Sequence, residues 1–169
     1  MAQSGRHRLT LEGPRDGPDE ERHTGRPGHA GAIGEIDPAL GAVVRTTPLT
    51  AEGRGITVAL NGTVRVTQSS ADLIARLTPT PSGPDLVEFP TPVDATPLHI
   101  AAAGNVWFTQ NGRGNVARAT PAGVVAEASQ AIDLADPKRP EPVGMTIAAN
   151  GQPWYSESLI DKLANVQPH

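Results

Sequence analysis

Of the 18 acidic residues and five histidines in this sequence, Glu141, Glu157 and His99 are the ones whose place in the chain suggests chemistry. Glu141 and Glu157 are hard oxygen donors, of the kind that binds a divalent cation with one or two carboxylates and water. The same two residues could equally stand as exposed loop carboxylates. His99 could act as a base or be an ordinary hydrogen-bonded residue at a strand start. Trp107 and Trp154 could stack on an aromatic group, but their common register favours packing between neighbouring sheets. Arg76 and Arg118 also share a register, and read most simply as solvent-facing strand positions. Asn111-Gly112-Arg113-Gly114 resembles a phosphate loop only superficially. Such a loop opens a helix, whereas this one joins two strands and reads as a hairpin turn. His7, His23 and His29 are irregularly spaced with no strand to fix them, so they do not form a metal tract. With no cysteine, disulfides and thiolate metal sites are excluded.

The elements that must position these residues repeat. Asn61–Gln68, Gly104–Gln110 and Asn150–Glu157 are three copies of a Gly turn followed by a strand-favouring run that ends in a polar side chain. First strands start near Ile56, Ile100 and Met145, a period in the forties, which suits a four-stranded propeller blade. One full unit reads Gly55–Leu60, an Asn61-Gly62 hairpin, Thr63–Gln68, Asp72–Pro79 and Asp85–Pro90. The next reads His99–Ala103, Asn105–Gln110, Asn115–Pro121 and Gly123–Ser129. A third supplies Gly144–Ala148, Pro153–Glu157 and Asp161–Pro168. Two strands, Ala32–Pro38 and Ala42–Pro48, lead in. The expected fold is all-β: a partial β-propeller of about three to three and a half four-stranded blades over residues 29–169. Residues 1–28 have little to bury and are expected to form a disordered polar tail.

Composition narrows the function classes. Aromatics are 3% of the chain, so its core must be Val, Ile, Leu and Ala. The net charge of -4 disfavours nucleic-acid and anionic-membrane partners. No apolar run approaches the length of a membrane helix and no signal-peptide h-region is visible, which makes a cytoplasmic location the expectation.

Arg54-Gly55-Ile56-Thr57, Leu73–Pro79, Leu86–Pro90 and Asn105–Gln110 together resemble the blade pattern of the virginiamycin B lyase (streptogramin lyase) family. The resemblance runs from about Gly31 to Pro168. It implies a seven-bladed propeller and a Mg²⁺-dependent elimination that opens a cyclic depsipeptide antibiotic. It also implies a Glu-Pro-His-Gly turn before an inner strand and a Glu ending the next strand, both at one mouth of the central channel. Here the turn reads Glu141-Pro142-Val143-Gly144, with Val143 in the place of the His, and the second-strand Glu is Glu157. On this reading Glu141 and Glu157 are the metal ligands, and Glu157 and His99 the catalytic candidates. His99 follows Thr96-Pro97-Leu98, one place beyond the family's His, which on a strand points to the other face. The corresponding second-strand ends in the earlier units are Gln68 and Gln110, which cannot ionise.

Seven blades of this period would need roughly 300 residues, and the chain has 169. Three arrangements follow: a homo-dimer completes the ring, the arc stands alone, or the chain is a remnant of a longer lyase-like protein. A non-catalytic propeller fragment acting as a binding or interaction module is the alternative to the lyase reading.

Overall fold

The computed structural model describes residues 8–12, 31–128, 141–158 and 162–166. These form fourteen strands in four antiparallel sheets, each a meander in sequence order. Blade I comprises β1 (Arg8–Glu12), β2 (Ala32–Asp37) and β3 (Ala42–Pro48). Blade II comprises β4 (Ile56–Val58), β5 (Val64–Gln68), β6 (Leu73–Thr78) and β7 (Asp85–Pro90). Blade III comprises β8 (Pro97–Ala103), β9 (Asn105–Gln110), β10 (Asn115–Ala119) and β11 (Val125–Ala128). Blade IV comprises β12 (Pro142–Ile147), β13 (Pro153–Glu157) and β14 (Lys162–Asn165). The first strands β4, β8 and β12 contact one another in succession and form the inner edge of the arc.

Local chemistry explains the hairpins. The turn between first and second strands carries Gly62, Gly104 or Gly151, with φ of 80°, 73° and 83°. This left-handed region costs a Cβ-bearing residue but not glycine. The second and third strands of blade III are joined by a short 3-10 turn at Asn111–Arg113, as expected of a hairpin connection rather than a phosphate loop.

Burial alternates along β13 but covers every residue of β5, a central strand packed on both faces, and the core is divided into slabs between blades. Ile33 and Leu49 of blade I meet Val64, Val66, Ala75 and Leu77 of blade II. Ile74 of blade II meets Ile100, Val106, Phe108, Ala117 and Ala119 of blade III. Val116 of blade III meets Tyr155 and Val166 of blade IV.

A hydroxyl latch joins the inner strands. Thr67 Oγ1 accepts the Gly55 N–H at 2.8 Å and donates to the Leu98 carbonyl of the next blade at 2.7 Å. Thr109 Oγ1 accepts the His99 N–H at 3.0 Å and donates to the Val143 carbonyl at 3.4 Å. Ser156 Oγ accepts the Gly144 N–H at 3.0 Å in the same register.

Three expectations need correction. Arg8–Glu12, inside the tail expected to be disordered, pairs with Ala32–Ile36 and adds a third strand to the two foreseen in blade I. The remainder of that tail, with His7 and His23, lies outside the described residues, as does His29. Arg76 and Arg118 are partly buried rather than solvent-facing. Arg76 lies 5.2 Å over the Phe89 ring and Arg118 6.0 Å over the Trp107 ring, so each makes a cation–π contact, the first to a fourth-strand ring and the second to a second-strand ring. Finally, Trp107 packs against the slab between blades III and IV as expected, but Trp154 does not follow it. It is 37% exposed, on a face of blade IV that no described sheet covers.

Candidate functional site

The end of each second strand places one polar side chain in the interior. Gln68, Gln110 and Glu157 are 0%, 0% and 2% exposed. Both glutamines donate through Nε2, although Gln110 Oε1 has no partner among the described residues. Gln68 Oε1 accepts the Ala51 N–H at 2.6 Å, and its Nε2 donates to Glu88 at 2.7 Å. Gln110 Nε2 donates to Asn115 at 2.7 Å and to Glu127 at 3.3 Å. Glu157 is different. Neither of its carboxylate oxygens has a hydrogen-bond partner among the described residues. Burial pushes its pKa up to about 7; the Glu141 backbone amide, near the carboxylate but outside hydrogen-bond geometry, opposes the rise only in part. The neighbouring Tyr155 is pushed up to about 12 by its own burial and by the Glu157 charge.

Antiparallel pairing brings the two candidate metal ligands to one end of blade IV. Pro142 is opposite Glu157 in the ladder, and the Ser158 N–H donates to the Glu141 carbonyl at 3.1 Å. The Glu141 side chain is half-buried and lies 3.4 Å from the Ser158 hydroxyl. A buried carboxylate with unused oxygens fits a hard cation, which compensates the charge that burial penalises. Among the described residues no group of three or more His, Asp or Glu side chains could hold a metal ion.

His99 lies on the adjacent inner strand, at the register position of Gly55 and Gly144. Its backbone is held by Thr109 while the residue itself is exposed. Val143 occupies the place of Leu98: the carbonyl of each receives the hydroxyl of the preceding blade. His99 thus stands one place beyond the position that Val143 holds in blade IV. Sequence reasoning did not single out the latch residues Thr67, Thr109 and Ser156. The available signal was a hydroxyl before the terminal Gln or Glu in every copy.

No protein-family model and no curated protein sequence matches the chain. Solved structures do. The chain is similar to virginiamycin B lyase from Staphylococcus aureus, at 22% identity and a TM-score of 0.64 over 80% of this chain and 48% of that one. It is similar to a structure described as streptogramin B lyase, at 25% identity and a TM-score of 0.60 over 80% of this chain and 47% of that one. A candidate 6-phosphogluconolactonase from Bacteroides uniformis matches at 15% identity and a TM-score of 0.64, over 83% of this chain and 48% of that one. The chain thus spans about half the length of the structures it matches. What these proteins share with it is a propeller-type fold.

Proposed function

We propose that this chain is a streptogramin-lyase-like propeller arc that binds a cyclic depsipeptide at the Glu141–Glu157 end of blade IV and opens it by elimination. One observation carries the reading: Glu157 is a buried carboxylate without a hydrogen-bond partner among the described residues, where the other copies hold glutamine. The fold similarity to streptogramin B lyase at 25% identity supports it. Glu141 and Glu157 would hold Mg²⁺, which stabilises enolate charge developing on a substrate carbonyl.

In such an elimination a base takes the proton alpha to a carbonyl. The C–H electron pair becomes a C=C bond, the neighbouring C–O bond breaks, and the carboxylate leaves with that pair. The ring opens at constant mass. Two groups could receive the proton: the exposed His99, or Glu157 where it does not ligate the cation, since bound Mg²⁺ would hold that carboxyl ionised and cancel the rise that burial causes.

A second reading, a non-catalytic binding module, is favoured by Val143 standing where the resemblance places a histidine. A streptogramin B compound incubated with the protein separates the two. The lyase reading expects an unchanged mass with a new retention time and fragmentation pattern, lost with chelator and in Glu157→Gln. An unaltered compound in excess Mg²⁺ refutes catalysis and leaves the binding module.

A further inference from the structure

The junctions between successive blades are built on one plan, and one of them is left open. Between blades II and III the space is sealed. Arg65 and Arg76 both donate to the Pro121 carbonyl, at 3.2 and 2.9 Å. The Phe89 ring lies under Arg76, and Gly123 approaches it so closely that a Cβ there would overlap the ring.

The junction between blades I and II has other residues at the matching places. β2 and β6 are each followed by proline, at Pro38 and Pro79, so Glu35 corresponds to Arg76. The ladders then match Arg45 to Val87, and Thr47 to Phe89. A threonine replaces the ring, and a cavity of about 290 Å³ remains. Ile33, Val64 and Leu77, all buried, form its floor, and Pro79 and Pro84 flank it. Its polar lining is Thr47, Thr80, Glu35 and Arg45, whose Nη1 lies 3.5 Å from Glu35 Oε2, so a bound carboxylate must displace Glu35 from the guanidinium. The cavity includes Gly62, at the opposite end of β5 from Gln68, so it is distinct from the Glu157 end.

We infer that this cavity is a binding site for a small aromatic carboxylate, its ring taking the place that Phe89 fills one junction on and its carboxylate meeting Arg45. The volume lies at the lower limit of small-molecule pockets, about 300 Å³, which restricts the ligand to a single ring. The apolar floor supplies the burial. The Arg45 side chain is 43% exposed and its ion pair with Glu35 is long, so it can turn a planar fork of donors to a carboxylate.

The test is an amide NMR titration of the full chain with phenylacetate, with benzylamine as the control of opposite charge. Saturable shifts at Thr47, Val64, Leu77 and Thr80 are expected with phenylacetate alone. Arg45→Gln, at an exposed position, should weaken phenylacetate by about tenfold through loss of the charge-assisted contact. Thr47→Phe, which restores the ring of the sealed junction, should abolish the shifts while the protein stays folded. Absence of saturable shifts in the parent protein overturns the inference. So does benzylamine binding as well as phenylacetate, or unchanged phenylacetate affinity in Arg45→Gln.

Discussion

At the scale of single residues, Glu157 departs from its own repeat, and the departure has a measurable cost. Its carboxyl ionises near its ordinary value of 4.5 in the unfolded chain and near 7 in the folded one. Below the unfolded value both states are protonated and the residue is neutral for stability. As pH rises from there to about 7, the unfolded state releases its proton first, so folding stability falls and then levels off. The loss is at most about 3 kcal/mol. Glu157→Gln, matching Gln68 and Gln110, should therefore melt higher than the parent at pH 8 in chelator and no higher at pH 4. Equal melting temperatures at pH 8 would show that another group already compensates the charge. Arg65 is a second departure, standing where Trp107 and Trp154 stand in the other copies. It is 2% exposed, and burial and the Arg76 charge lower its pKa. The Pro121 carbonyl receives its Nη2, but its Nε has no partner among the described residues.

At the scale of elements, the hydroxyl latch carries the register from one blade to the next. Thr109 is 0% exposed and serves His99 of its own blade and Val143 of the next. Thr109→Val keeps the shape and removes the hydroxyl, leaving an N–H and a carbonyl without that partner at a cost of about 1–3 kcal/mol. Ser156→Ala removes only the acceptor for Gly144 and should cost less. Denaturant unfolding of the two variants checks the order, and equal losses would argue against coupling between blades through Thr109. The apolar slabs stabilise the arc more than the latch does. Phe108→Ala, at a site 0% exposed between blades II and III, should lose about 3–5 kcal/mol in the same measurement.

At the scale of the whole molecule, the described arc has unequal faces. Trp107 is covered by blade IV, while the equivalent Trp154 is 37% exposed and Leu163 is 77% exposed beside it. Exposed apolar sheet faces invite association, and a second copy completing the ring is our proposal for what covers this one. Light scattering should then give twice the chain mass, and Trp154→Glu with Leu163→Glu should return it to one chain. A single-chain mass for the parent protein refutes this. Among the described residues no helix is long and apolar enough to cross a membrane.

The strands could be read from the residues because their causes are local. Alternation, an Asn-Gly turn and flanking prolines act within a few positions, so β5 to β14 fall close to their expected bounds. The pairing of β12 with β13, which sets Pro142 opposite Glu157, was legible for a related reason: consecutive antiparallel strands joined by a short turn must pair. Burial and pairing between blades were not legible. Whether Arg76 meets solvent or Pro121, whether Trp154 is covered, and whether Thr47 faces a ring or a cavity depend on which residue of another sheet stands opposite. Sequence alone determined a repeated sheet-forming unit and the residue type at each place in it. Only the tertiary structure decided which copies are sealed and which left open, because packing free energy belongs to pairs of surfaces, and half of each pair lies some forty residues away along the chain.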